Sequence, residues 1–116
     1  MITRTDEITS FRGEHRFLSN FWPVQVSFLG MVFPTVEHAY QAAKCRDKTD
    51  RFRIQSAITP GQAKRLSRKM PIRVEWEAEK LLIMEQLLRF KFSIEPLRGM
   101  LIATGGRNLI EGNEWG

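Results

Sequence analysis

Glu37, Tyr40, Gln41 and Lys44 follow one another at i, i+3, i+4 and i+7. On an α-helix that spacing puts all of them on one face. At about 1.5 Å rise per residue, the Glu37 carboxylate and the Lys44 amine sit roughly 10 Å apart along it. A carboxylate so placed can stabilise developing positive charge and shuttle a proton. A lysine beside it acts as a nucleophile when neutral, or holds a phosphate when charged. The stripe of Val36, Ala39 and Ala43 lies next to these residues, so one face packs and its neighbour is chemical. A solvated Glu and Lys on an ordinary amphipathic helix meets the same pattern, and the flanking sequence has to discriminate.

The helix carrying this face has a clear start. Thr35 offers a capping hydroxyl, Pro34 ends the preceding segment, and Glu37 falls in the first turn, where the helix dipole favours negative charge. Upstream, Val24, Val26 and Phe28 alternate with Gln25 and Ser27, Leu29-Gly30 makes a turn, and Met31-Val32-Phe33 returns: a β-hairpin feeding the helix. Before it, Phe17-Leu18-Ser19-Asn20-Phe21-Trp22-Pro23 reads as an ordered aromatic loop, and Ile8 to Phe11 as a short strand followed by a turn at Gly13.

Downstream the pattern is helical. Thr49 or Asp50 caps a helix to about Ser56. Thr59-Pro60-Gly61-Gln62 opens another with a capping box and proline at its first position, turning Ala63 and Leu66 inward, with Pro71 closing it. A long helix is expected from about Val74 to Phe92, with Val74, Ala78, Leu81, Leu82, Met84, Leu88 and Phe92 as its apolar face. A last helix carries Leu97, Met100 and Leu101 to Gly105-Gly106, and Asn108 to Glu111 reads as a final strand. The whole is an α+β fold, mostly helical, with a small sheet.

At 116 residues the chain is the length of one domain. Its formal charge of +5 comes with many of its positive residues between Lys44 and Arg73. That fits an anionic partner, a phosphorylated small molecule or nucleic acid, and fits a merely solvated basic surface equally well. The single cysteine, Cys45, excludes an internal disulfide and suits a reducing compartment. No apolar run reaches the ~18 residues of a membrane span and the opening residues lack a signal-peptide core, so a cytoplasmic protein without membrane attachment is expected. His15 and His38 show no metal-ligand spacing with Cys45, and Walker and Rossmann glycine patterns are missing, so neither metal nor cofactor is expected.

Phe17-Leu18-Ser19-Asn20-Phe21, Phe33-Pro34-Thr35-Val36-Glu37-His38-Ala39-Tyr40-Gln41-Ala42-Ala43-Lys44, Trp76, and Leu109-Ile110-Glu111-Gly112-Asn113 occur in the order and approximate spacing of the NADAR (NAD- and ADP-ribose-associated) family. The resemblance spans Phe11 to Gly116. It implies an N-glycosidase, cleaving the bond between an anomeric carbon and nitrogen in early riboflavin intermediates or in ADP-ribosylated guanine. The substrate is then a small phosphoribosyl or ADP-ribosyl compound, or ADP-ribosylated nucleic acid. Breaking such a bond builds positive charge on the sugar, which suits Glu37 as the catalytic carboxylate, and the resemblance favours a covalent, Schiff-base role for Lys44. Phe21, Tyr40 and Trp76 are flat groups able to stack on a base, Ser19 and Asn20 can bond its edge, and Asn113 joins them by resemblance. Trp76 is equally suited to core packing, His38 to a structural cap, and Cys45 to an inert buried position.

The family pattern continues past the equivalent of Gly116 with an Asp, a second Trp-Gly and a glycine-rich stretch with a functional Asn. Trp115 does not inherit the later tryptophan's role, and a tryptophan so near the end either folds back or is followed by further natural sequence. The rival reading is a non-catalytic module that keeps the ribosyl pocket or holds nucleic acid on its basic surface.

Overall fold

The computed structural model describes residues 7–8, 13–104 and 108–109. A short strand β1 (Glu7–Ile8) is followed by a 3-10 helix (Gly13–Leu18), the hairpin strands β2 (Val26–Phe28) and β3 (Met31–Phe33), and α1 (Val36–Lys44). After these come α2 (Lys48–Gln55), α3 (Pro60–Ser67), α4 (Trp76–Lys91), α5 (Leu97–Ile102) and β4 (Asn108–Leu109). The architecture is α+β and mostly helical, as the sequence implies.

In the hairpin, Val26 pairs with Phe33, Ser27 with Val32 and Phe28 with Met31. Val26 and Phe33 are buried while Ser27 and Val32 face out, the period-two alternation of a half-buried ribbon. Leu29 and Gly30 take φ of 55° and 72°. Both are left-handed, the geometry of a tight turn whose twist matches that of paired strands. β1 pairs with β4 in parallel, Glu7 against Asn108 and Ile8 against Leu109. The expected strands Ile8 to Phe11 and Asn108 to Glu111 are thus observed at Glu7–Ile8 and Asn108–Leu109, their remaining residues lying outside the described ones.

α1 is the centre of the molecule. Thr35 caps it by accepting from the His38 amide, and every residue from Val36 to Ala43 is buried. The expected pair of faces, one packed and one chemical, is thus enclosed on both. The alanines Ala39, Ala42 and Ala43 let other elements approach closely, so the hairpin, α2, α3 and α4 enclose the helix on several sides. α3 starts as expected, Thr59 accepting from the Gln62 amide with Pro60 at the first helical position, but it ends at Ser67, ahead of Pro71. α2 begins earlier than Thr49 or Asp50: Asp47 is its capping position, yet its carboxylate is turned to Arg46 at 3.0 Å and caps nothing.

The inward face of α4 differs from the expected one. Trp76, Ile83, Met84, Leu87 and Lys91 are buried, whereas Val74 is 93% and Leu81 65% exposed, and Ala78 and Leu82 face out as well. The helix starts at Trp76, which leaves Val74 in the preceding turn. Its apolar residues circle too much of the axis for periodicity to choose a face, and Trp76 against Tyr40 and Lys91 against the Ser19 carbonyl set the rotation.

A second apolar cluster, Phe17, Leu18 and Leu97 with Trp22, Phe92, Met100 and Leu101 against them, pins the 3-10 helix to the end of α4 and to α5. Phe17 meets Phe92 edge-on at 6.3 Å between ring centres. The aromatic loop expected over Phe17 to Pro23 is therefore part 3-10 helix and part turn, because its large apolar groups are core for α4 and α5.

Candidate functional site

The Ser19-Asn20 turn docks on the start of α1. The Asn20 carbonyl accepts the Glu37 amide at 3.1 Å, one of the first-turn donors a helix leaves without an internal partner. The next amide, His38, goes to the Thr35 hydroxyl at 3.0 Å. His38 is a structural residue, as expected. Its Nδ1 lies 2.8 Å from Thr35 Oγ1 and its Nε2 3.0 Å from the Ala57 carbonyl, which can only accept. Nε2 therefore carries the proton and Nδ1 accepts from the Thr35 hydroxyl. Burial lowers the His38 pKa, against the raising influence of the Ala57 bond, so the ring is neutral in the folded protein.

Glu37 is 4% exposed. Burial raises its pKa, opposed by the Gln41 hydrogen bond and by the positive charges of Lys64 and Lys44. Gln41 Nε2 donates to Glu37 Oε2 at 2.6 Å, and Ser67 Oγ on α3 donates to Gln41 Oε1 at 2.5 Å. Lys44 closes the helix as a partly buried residue in its last turn. The carbonyls around it are tied down: Arg73 Nε donates to Ala43 O at 2.8 Å, the Arg73 amide to Lys44 O at 3.1 Å, and the Arg51 guanidinium to Cys45 O at 3.3 Å.

Tyr40 and Trp76 are both buried and pack with ring centres 4.9 Å apart at 58°. Each covers the other, so among the described residues they form a wall beside Glu37 and leave little free ring surface. Burial, with the negative charges of Glu37 and Glu77, pushes the Tyr40 hydroxyl up to about 12. That hydroxyl and Asn20 Oδ1 are buried polar atoms without a protein partner among the described residues. Such atoms are costly unless a ligand or further chain completes them. Ser19 Oγ accepts the Phe21 amide at 3.1 Å, and Phe21 is half-buried beside it. Asn113 lies outside the described residues.

Fold and packing thus bring Asn20, Glu37, Tyr40, Gln41 and Trp76 together, with Lys44 at the far end of the same helix. Sequence reasoning missed Lys64, Ser67 and Lys91. Lys91 is 0% exposed, donates to the Ser19 carbonyl at 2.7 Å and sits 4.9 Å from the Phe92 ring centre, so it holds the turn that meets Glu37. Its signal was available: a lysine seven residues after Met84 on a helix interrupts the apolar face there. A groove of about 410 Å³ between the hairpin and Gln55 is lined by none of the expected site residues. Among the described residues, no group of three or more His, Cys, Asp or Glu is placed to hold a metal ion, and no helix is long and apolar enough to cross a membrane.

Comparison with known proteins bears on this arrangement. The family model of the NADAR domain matches residues 9–115. The chain belongs to the NADAR domain family. It is 38% identical over 107 residues to the N-glycosidase YbiA of Escherichia coli, a match covering 84% of this chain and 66% of that protein. It is 36% identical over 100 residues to the riboflavin biosynthesis protein VVA0006 of Vibrio vulnificus, covering 84% of this chain and 27% of that one. The NMR structure of E. coli YbiA superposes with a TM-score of 0.77 at 33% identity, covering 90% of this chain and 64% of that one. The NADAR chain described here thus spans just under two thirds of the length of the YbiA proteins it matches, and shares their α+β fold over that span.

Proposed function

We propose that this chain carries an N-glycosidase site that hydrolyses the bond between C1′ of a ribose and the nitrogen of a base or amine, in a phosphoribosyl or ADP-ribosyl compound. The observation that carries the reading is Glu37, buried, with its pKa raised, on the helix face it shares with Lys44. Similarity to proteins named as N-glycosidases and to riboflavin biosynthesis proteins supports it.

A raised pKa suits a proton donor. In this reading Lys44 first gives its ammonium proton to solvent; its amine then adds to C1′ as the C1′–N bond breaks, and the Glu37 carboxyl gives its proton to the departing nitrogen. The Glu37 carboxylate then takes a proton from the new Lys44–C1′ ammonium; the nitrogen lone pair forms C1′=N as the C1′–O4′ bond breaks, Glu37 returns that proton to O4′, and the opened sugar is held as a protonated Schiff base. Water hydrolyses it, releasing the sugar and the free Lys44 amine, so that the net change is substrate plus water to amine plus sugar. Asn20 Oδ1 and the Tyr40 hydroxyl offer hydrogen bonds to the substrate, Ser19 and Phe21 flank them, and Trp76 backs Tyr40. Asn113 is assigned to the same pocket by family resemblance. Lys64, whose charge is felt at Glu37, stands where a substrate phosphate is held.

The test is release of free base or amine from a panel of early riboflavin intermediates, ADP-ribosylated guanine oligonucleotide and NAD. Turnover in the wild type that is lost in both Glu37→Gln and Lys44→Ala identifies the substrate. Ribosyl-ligand binding unaffected by Glu37→Gln, without turnover, makes the chain a binding module instead.

A further inference from the structure

Gln41 stands between Glu37 on one side and Ser67 on the other, and all three are buried. As it stands, the amide nitrogen of Gln41 serves Glu37 Oε2 at 2.6 Å while its oxygen accepts from Ser67 at 2.5 Å. The Ser67 hydroxyl also has the Lys64 carbonyl within reach, at 3.0 Å. A hydroxyl has one proton to give and two lone pairs to accept with, so it serves one of those oxygens at a time. Turning the Gln41 amide over exchanges its oxygen and nitrogen at nearly the same positions. Ser67 then accepts from Gln41 and donates to Lys64. At the other end, Glu37 meets an amide oxygen, which only a protonated carboxyl satisfies.

We propose that Gln41 and Ser67 are positioning residues forming a hydrogen-bond chain whose direction reverses with the protonation of Glu37. With Glu37 ionised, donors run from Ser67 to Gln41 to Glu37. With Glu37 protonated, they run from Glu37 to Gln41 to Ser67 to the Lys64 carbonyl. The inference rests on reading Glu37 as the group that gives and regains a proton. A buried carboxyl serving that purpose occupies both states, and a one-way donor leaves an unpaired buried atom in one of them. The reversible chain keeps the Glu37 oxygen that faces Gln41 paired in both, so the carboxyl keeps one orientation throughout the cycle. The other titratable groups facing Glu37 are Lys44 and Tyr40 on α1 and Lys64 on α3. The lysine ammoniums only donate, and cannot supply the acceptor that the protonated state requires. Burial favours the protonated carboxyl and the Gln41 donor favours the ionised one, which brings both states within reach.

The experiment is a pH titration by NMR of protein carrying ¹³C at glutamate side-chain carboxyls and ¹⁵N at glutamine side-chain amides, with Glu37→Gln and Gln41→Met used for assignment. The expected result is that the Gln41 amide resonances move with the apparent pKa of the Glu37 carboxyl, by more than those of any other glutamine. Ser67→Ala is expected to lower kcat about fivefold, the weight of one ordinary hydrogen bond. It should also displace the limb of the pH profile that reports Glu37 while leaving KM within about twofold. Gln41 resonances that stay still through the Glu37 titration, or a Ser67→Ala enzyme with wild-type kcat and pH profile, overturn the proposal. Should the wild type turn over no substrate, the glycosidase reading fails, while the NMR titration still decides the chain.

Discussion

Glu37→Gln should make this protein more stable above neutral pH while removing the proposed proton donor. The structure sets both the sign and the size. The Glu37 carboxyl is buried and its folded pKa lies above the ordinary carboxylate value, chiefly because burial disfavours the charge. A group with a raised folded pKa contributes stability that is fully present below its unfolded pKa and lost as pH rises through the folded one. Between those two pKa values the folded state holds the extra proton, so stability falls by up to about 1.4 kcal/mol for each pH unit climbed and levels off beyond them. Gln at this position keeps an oxygen for the Gln41 donor at 2.6 Å and titrates nothing. The difference between the variant and wild type should therefore be smallest near pH 4 and grow as pH rises, levelling off once the folded pKa is passed, each kcal/mol appearing as a Tm rise of roughly 4 °C. Urea unfolding of both proteins across that range, read by circular dichroism, measures it. Parallel stability curves for the two proteins would refute the reasoning, because they would mean that Glu37 is no more desolvated folded than unfolded.

Other consequences follow from single residues. Leu29 sits at a φ of 55° in the hairpin turn and is half-exposed, so Leu29→Asn should stabilise the protein by about 1 kcal/mol in urea unfolding, asparagine tolerating the left-handed region at lower cost. Lys91→Met should destabilise by about 1–3 kcal/mol, since it strips the donor from the partly buried Ser19 carbonyl, and differential scanning calorimetry will read the loss. The Cys45 thiol is buried and pushed up to about 11, so iodoacetamide at neutral pH should label it only after urea unfolding, as followed by intact-mass measurement.

Much of the frame was legible because local chemistry decides it. Thr35 with Pro34, Thr59 with Pro60, and the alternation through Val26 and Phe28 each specify an element from a few residues, and the observed caps and hairpin follow them. Glu37, Tyr40 and Gln41 were legible as one face because helical spacing fixes which side chains share a side. Their burial was not, since it depends on α2, α3 and α4 closing around small alanines far apart in sequence. The inward face of α4 was misplaced for a related reason: Leu81 and Leu82 are as apolar as Ile83 and Leu87, and only Tyr40 and Ser19, contributed from elsewhere, choose between them. Ser67 and Lys64 escaped notice because nothing within α3 itself shows which of its polar residues will meet α1.

The central claim is that the face from Glu37 to Lys44 breaks the C1′–N bond through a covalent step, and borohydride trapping during turnover tests it most directly. With an accepted phosphoribosyl or ADP-ribosyl substrate, reduction should leave a sugar adduct on the peptide containing Lys44, found by mass spectrometry in the wild type and missing from Lys44→Ala. Turnover that proceeds with no adduct, or an adduct on another lysine, would contradict the account.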